Sequence, residues 1–383
     1  MPILRNAGGW CKNGIFRTSG AQYVHVVGLI LLLLGGCAGV PTAQLQAYTN
    51  AYDEAKAAAS LIYADAAPAI LKGAPTDLQF PVSLGPAAFD RDGCGPIVAS
   101  IDSLRARCQA MVALKAYNQA LADIAAGKTT EDILAEVDEA FRSVSSLAAI
   151  VPGSAVAAVM GPAAAIFPAL RGILGEALKL RDRVALRDAL IQGAPHIRVM
   201  IQSLRDDVER LYVIQREYAA GRLQRTKNAI DENLTPAFRA VAAHSPPTDP
   251  AVASSLGLLE QRFDEMFSAP EPGTSFRLKG IKPVAPAAGK PLDGPAVALI
   301  DTQLRAVAAN IAEFRAVAAQ FSRSSEALAS YDSLLAAVDR SLTELLTASN
   351  RIFAPGGGTD QLVQSIVTIR DHARDIKHLL AAR

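Results

Sequence analysis

Aromatic side chains make up only 5% of this 383-residue chain, and its single tryptophan, Trp10, lies near the start. Runs of β-branched residues in two-residue alternation are almost absent as well, which removes the usual signature of half-buried strands. What fills the space is alanine, so the composition points to helices. Charge of one sign is not in excess either, with 38 basic residues against 37 acidic ones. That balance gives no electrostatic footprint for nucleic acid or for an anionic surface. No apolar run reaches the ~20 residues that a spanning helix needs. There is no Cys-x-x-Cys pair and no Gly-x-Ser-x-Gly elbow.

Acidic residues are missing from the first 52 positions, where Arg5, Lys12 and Arg17 supply positive charge. An apolar run from Val26 to Leu34, interrupted by Gly28, follows and ends in LLLLGGCAGV, residues 31–40. A basic segment, a short apolar segment and then small residues form the pattern of a secretory leader. Leu34-Gly35-Gly36-Cys37 resembles the lipobox of bacterial lipoproteins. The resemblance, which covers residues 1–40 alone, implies cleavage before Cys37 and a diacylglycerol on its sulfur, with palmitate-type acyl chains in the bilayer. Two or more chains hold a protein stably where one does not. Ala38 rather than Asp after the lipidated Cys implies, by the same resemblance, the outer membrane, with the protein facing the periplasm. Removing residues 1–36 takes away three basic and no acidic residues, so 35 basic face 37 acidic ones in what remains.

Of the four cysteines, Cys11 lies in the leader and Cys37 is the lipidation candidate, which leaves Cys94 and Cys108. An even pair in an oxidising compartment is a natural disulfide. Closure depends on where the next helix starts. A start at Pro96 puts Cys108 ~18 Å along the axis, whereas a start after Ser100 brings it within reach. Cys108 also falls on an apolar stripe, so a small core residue is the competing reading.

Helical periodicity then runs through most of the chain. Residues 41–65 read as a first helix, and 67–96, rich in Pro and Gly, as a long excursion. Ile97, Ile101, Leu104, Cys108, Met111, Leu114, Tyr117 and Leu121 recur at three- and four-residue steps until Gly127. Thr129 or Thr130 caps a helix that carries Ile133, Val137 and Phe141, with Glu131 and Asp132 in its first turn. A further helix is expected from Ala163 to Gln192, ended by Gly193 and Pro195, and another from His196 to Asn233 with Asp206 and Asp207 among its outward charges. Prolines crowd residues 245–296 around a short helix at 251–267. Beyond them an apolar seam from Val297 to Ile352 has the length of a coiled-coil stripe. Pro355 to Gly358 breaks it, and Thr359 opens a last helix.

These signals predict an all-α protein, an elongated helical bundle with coiled-coil-like antiparallel helices. Its expected divisions are a signal peptide at 1–36, an N-terminal bundle at 37–244, a Pro-rich linker at 245–296 and a C-terminal hairpin at 297–383.

Chemistry is harder to find. His372 and His378 are six apart, not the i, i+4 of a zinc helix, and nothing calls for a cofactor or a metal. Asp206-Asp207 and Asp231-Glu232 are adjacent carboxylates, which point about 100° apart on a helix. From Ser143 to Leu170 no charged side chain occurs, although Pro152-Gly153, Gly161-Pro162 and Pro168 should break the segment. One reading makes 143–170 a buried crossover. The other makes it an apolar hairpin that enters lipid, similar in architecture to helical pore-forming toxins. The expectation is a non-catalytic structural, scaffolding or adaptor protein of the bacterial envelope. Its partners would be the bilayer, through acylated Cys37, and another protein or a second copy, through the 297–352 helix.

Overall fold

Ala-rich helices with an apolar residue at every third or fourth position can bury those residues only against one another. In the computed structural model they do so as α1 (Thr42–Gly73), α2 (Asp102–Ala126), α3 (Thr130–Ile150), α4 (Ala155–Leu180), α5 (Arg183–Ala243), α6 (Gly294–Asn350) and α7 (Thr359–Ala381). The structure describes residues 42–73, 94–95, 98, 101–150, 155–180, 183–243, 249–254, 257–258, 261, 293–350 and 359–381. The protein is an all-α helical bundle, and one continuous core joins side chains of all seven helices.

Side-chain pairs give the directions. Thr49 meets the Asn118 carbonyl and Ser60 meets Cys108, so α1 and α2 are antiparallel. Arg171 meets Asp138 and Phe167 meets Phe141, which sets α4 antiparallel to α3. Arg198 pairs with Asp339, Arg205 with Asp332 and Arg222 with Glu313, so α5 and α6 run in opposite directions along a shared seam. Glu54 with Arg370 places α7 beside α1, and with only eight residues between Asn350 and Thr359 α7 starts at the end of α6. Tyr117 donates to the Ala189 carbonyl, which brings the end of α2 to the start of α5. The starts of α1, α3, α5 and α7 therefore share one end of the bundle with the ends of α2, α4 and α6.

Two helices outrun the rest. With 61 and 57 residues, α5 and α6 are each ~85–90 Å long at ~1.5 Å per residue. Their overhang is a two-helix arm held by small separate clusters, Ile230 and Leu234 on Val307 and Ile311, then Val297 and Ile300. The 297–352 seam is visible in the burial of Val307, Ile311, Val317, Leu328, Tyr331, Leu335, Val338, Leu342 and Leu345. At the head of α6 the carboxylate of Asp293 accepts from the Ala296 amide at 2.9 Å, satisfying one of the free first-turn donors. At the other punctuation point, Gly127 takes φ 78° to close α2, where a β-carbon would be strained.

Several sequence boundaries shift. The first helix does not stop at residue 65 but passes Pro68 and ends at Gly73. Nor does Gly161-Pro162 or Pro168 break the segment after 154, for α4 runs from Ala155 through all three. The expected end at Gly193 and Pro195 is also absent, since α5 starts at Arg183 and runs through Pro195 and Pro236. A proline inside a helix forfeits one hydrogen bond and crowds the preceding turn. Pro168 and Pro195 both face solvent, where the freed carbonyl finds water, while their neighbours Phe167 and Ala194 are buried. Packing of that inner face outweighs the local loss.

Gly193 has a different reason to be there. It faces Tyr117, and a β-carbon on it would lie 2.0 Å from the tyrosine hydroxyl and 2.7 Å from Cζ. The ring is anchored by its bond to the Ala189 carbonyl and cannot simply swing aside. Gly193→Ala is therefore expected to lower unfolding free energy by about 1–3 kcal/mol despite alanine's better helix propensity. Urea titration followed by circular dichroism measures it, and a stabilised variant would contradict the packing described.

Candidate functional site

Helix α2 sits at the centre of the bundle. Every residue from Ser103 to Met111 is buried, so the helix has no solvent face over more than two turns. Its apolar stripe of Leu104, Cys108 and Met111 covers one side, and Ala106 and Ala110 let neighbouring backbones close on the other. Into this interior α2 carries Arg107. Its guanidinium Nε donates to Asp207 Oδ2 at 2.5 Å, Nη2 donates to Oδ1 at 2.8 Å, and Nη1 donates to the Ser103 carbonyl at 2.7 Å. The two side chains are 2% and 5% exposed, which makes this a bidentate pair in the low-dielectric interior. Arg210 reaches Asp207 from the solvent side at 3.7 Å. Asp207 is thus not one of the outward charges of α5, and the adjacent Asp206, which is exposed, is not its partner.

Tyrosines surround the pair. Tyr63 on α1 and Tyr331 on α6 share a hydrogen bond between their hydroxyls at 2.9 Å, with the rings edge to face. The Tyr52 hydroxyl donates to the Met111 sulfur at 3.2 Å. Burial pushes the hydroxyls of Tyr48, Tyr52, Tyr63, Tyr117 and Tyr331 well above the ordinary tyrosine range. At Tyr63 the Tyr331 hydroxyl and the charge of Arg107 act in the opposite direction, but burial dominates. A phenol held neutral this firmly is neither a nucleophile nor a base. Enclosed as it is, the cluster supplies packing and register.

Below it, Asp65 accepts from Gln215 Nε2 at 2.9 Å, and both side chains are buried. They line a cleft of about 30 Å³ where α1, α5 and α6 part, with Tyr218, Arg222, Gln320 and Ser324 around the rim. The space suits a water molecule or two, far short of the ~300–1,000 Å³ typical of a site for a metabolite.

The residues singled out in the sequence fall in different places. Leu34, Gly35, Gly36 and Cys37 lie outside the described residues, as do 74–93 of the Pro/Gly-rich excursion and Gly356 to Gly358. Cys94 and Cys108 are joined by a disulfide with their Cα atoms 6.1 Å apart. The helix start makes this reachable, because α2 begins at Asp102 with Ile101 as its extended N-cap, which leaves Cys108 in the second turn. His372 and His378 sit on α7, the first half-buried and the second exposed. Among the described residues there is no group of three or more His, Cys, Asp or Glu that could hold a metal. Of the charge-free segment, Ile166, Phe167 and Leu170 are buried, and Phe167 packs on Phe141 with ring centres 5.3 Å apart. No helix among the described residues is long and apolar enough to cross a membrane. No family model, curated protein or solved structure matches the chain.

Sequence reading missed Arg107 as the partner of Asp207, because Arg105 and Gln109 beside it, and the alanines between, give the stretch no mark of an interior. Truncating its partner leaves a buried charge uncompensated. Asp207→Ala is expected to cost about 3–5 kcal/mol, while Arg107→Met with Asp207→Leu should recover most of that loss. Equilibrium denaturation of the single and double variants checks this; equal destabilisation in both would contradict it.

The tyrosines give a pH dependence with a definite sign. Their folded-state pKa values are raised, so above ~10 the unfolded chain releases phenolic protons that the folded chain retains. Unfolding then exports protons, and stability that is complete below pH 10 falls as pH rises, by up to ~1.4 kcal/mol per unit for each such tyrosine. The expected outcome is cooperative alkaline unfolding, with tyrosinate absorbance from the buried rings appearing together with loss of helix. Tyrosinate formation in a chain whose helix signal is intact would refute it.

Proposed function

We propose that this chain is a lipid-anchored periplasmic protein of the bacterial envelope, held through acylated Cys37, with a non-catalytic scaffolding or adaptor role. The observation that carries the reading is a spacing. Only four residues separate Cys37 from Thr42, where α1 begins, so an acylated sulfur would fix one end of the bundle close to a bilayer. The α5–α6 arm then points the other way, and its long helical faces are the surface offered to a partner. The role of Ala38 in directing the chain to the outer membrane belongs to the same reading.

Three features support a mechanical rather than a chemical task. Helices of ~85–90 Å set a distance, which a globular enzyme has no need of. The buried pairs Arg107 with Asp207 and Tyr63 with Tyr331 are enclosed and spend their polar groups on each other. Interhelical pairs, Arg198–Asp339 and Arg205–Asp332 in the bundle and Arg222–Glu313 toward the arm, favour one alignment of α5 on α6.

Intact-mass spectrometry of the protein extracted from membranes tests the anchor. The expected species begins at Cys37 and carries two or three acyl chains. Cys37→Ser should yield an unprocessed or unacylated chain that no longer partitions into detergent. A wild-type product with a free Cys37 thiol, or one that begins elsewhere, would overturn the proposal.

A further inference from the structure

Glycine occurs twice inside α5, at 193 and 221. Gly193 is required by the Tyr117 ring, whereas a β-carbon on Gly221 would meet only Arg225 Nη1, at 3.9 Å, an ordinary contact. Packing therefore does not account for Gly221. In a helix interior glycine is less favourable than alanine, because it has more backbone freedom to lose. Its place along the rod is the informative part. Asp65 on α1 meets Gln215 on α5, and α1 ends eight residues later at Gly73. The two helices run the same way, so at ~1.5 Å per residue α1 stops at about the level of residue 223. Gly221 lies within one turn of that level.

Other features meet at the same height. In α6, Ser322, Ser324 and Ser325 crowd a single turn, and serine side chains compete with the backbone for hydrogen bonds, which weakens a helix interior. The cleft of about 30 Å³ lined by Asp65, Pro68, Gln215, Tyr218, Phe321 and Ser324 lies here, so the side chains around it have room to move. Gln215 is 6% exposed, and its Oε1 has no hydrogen-bond partner while Nε2 is spent on Asp65. Water admitted to the cleft would satisfy that acceptor. Across the seam, Arg222 holds α5 to α6 through Glu313 at 3.3 Å and Gln320 at 3.5 Å. Ile230 and Leu234 on Val307 and Ile311 continue the seam beyond it, so the two helices stay paired past the end of α1.

We propose that residues 219–222 of α5 and 320–325 of α6 form a hinge, at which the two-helix arm swings as a unit on the multi-helix bundle. Bending there opens the cleft and hydrates Gln215 while the α5–α6 seam stays closed. Asp207, in the enclosed ion pair, sits about four helical turns short of Gly221, so the swing leaves that contact in place. Helices bend sharply where a glycine or serine interrupts good helix formers, and here both members of the pair carry such residues at one level. The hinge is a property of the chain itself and holds with or without a lipid on Cys37.

Spin-label distance distributions on the full chain test it. The ketone side chain of p-acetylphenylalanine carries the nitroxides, which leaves every cysteine as it is. One pair replaces Glu209 and Glu232, on either side of the hinge, and a control pair replaces Gln192 and Glu209, both within the bundle; all three positions are exposed. On a straight helix these pairs are ~35 and ~25 Å apart. The expected distribution for 209–232 is about twofold or more broader than for 192–209, and Gly221→Ala should bring the two widths to within about 1.3-fold of each other. A third pair at Asn228 and Ala309, exposed on the two helices of the arm, should stay as narrow as the control. Equal widths for 209–232 and 192–209 in the wild type would overturn the hinge. So would a broad 209–232 distribution that Gly221→Ala leaves unchanged, since the bend would then lie elsewhere. Broadening at 228–309 would mean that the arm frays instead of swinging, and overturns it too.

Discussion

The contact on which the rest of this bundle depends is Arg107 with Asp207. Two opposite charges lie in the interior, and each has its desolvation offset only while the other stays within hydrogen-bond distance. That requirement does what the surrounding surface cannot. Alanine faces such as Ala55, Ala58, Ala59 and Ala66 on α1 pack closely, but they are nearly alike from one turn to the next. A slip by one helical turn would change their contacts little. It would part Arg107 from Asp207, Tyr63 from Tyr331 and Gln215 from Asp65, and leave each of those groups buried without its partner. The polar pairs thus discriminate against registers that the apolar residues would tolerate, a role for buried polar groups that is best attested in coiled coils.

This division of labour explains what could be read from the sequence. Helical class, the stripes at 104–121 and 297–345, the stop at Gly127 and the acidic first turn of α3 follow from local periodicity and capping, which act over a few residues. The interior position of α2 does not, because Ala106, Ala110 and Ala113 look the same in a core as on a surface. Arg107 and Asp207 are a hundred residues apart, and nothing in either neighbourhood names the other. Gly193 and Pro195 were misleading for a related reason. Their local preference is to end a helix, yet Gly193 is there to admit the Tyr117 ring, and Pro195 loses its bond on the face where water replaces it.

Stability is graded along the rod. Within the bundle all seven helices contribute to one core, whereas the arm has two helices and at most four well-buried side chains in a cluster. Elements with few buried contacts open at lower free energy than the core. Among the described helices the α5–α6 arm is therefore the part most able to bend, or to exchange its seam for another helix. The buried residues there, Ile230, Leu234, Val307 and Ile311, are those any partner helix would have to match.

The gradient bears on the scaffolding role proposed above. A scaffold transmits position only if its anchored end is stiff and its reach is set by covalent geometry rather than by a flexible linker. With the proposed anchor at Cys37, the multi-helix core stands between the tether and the compliant arm, and the disulfide and the enclosed ion pair sit partway along that core. Force or position applied at the arm would act through α5 and α6, which both continue unbroken into the core beside Asp207 and Tyr331. A bundle with the opposite order, compliant at the tether and stiff at the tip, would hold a partner at no fixed height. Among the described residues α5 and α6 are the helices common to arm and core, and their arrangement is what links the buried contacts to reach.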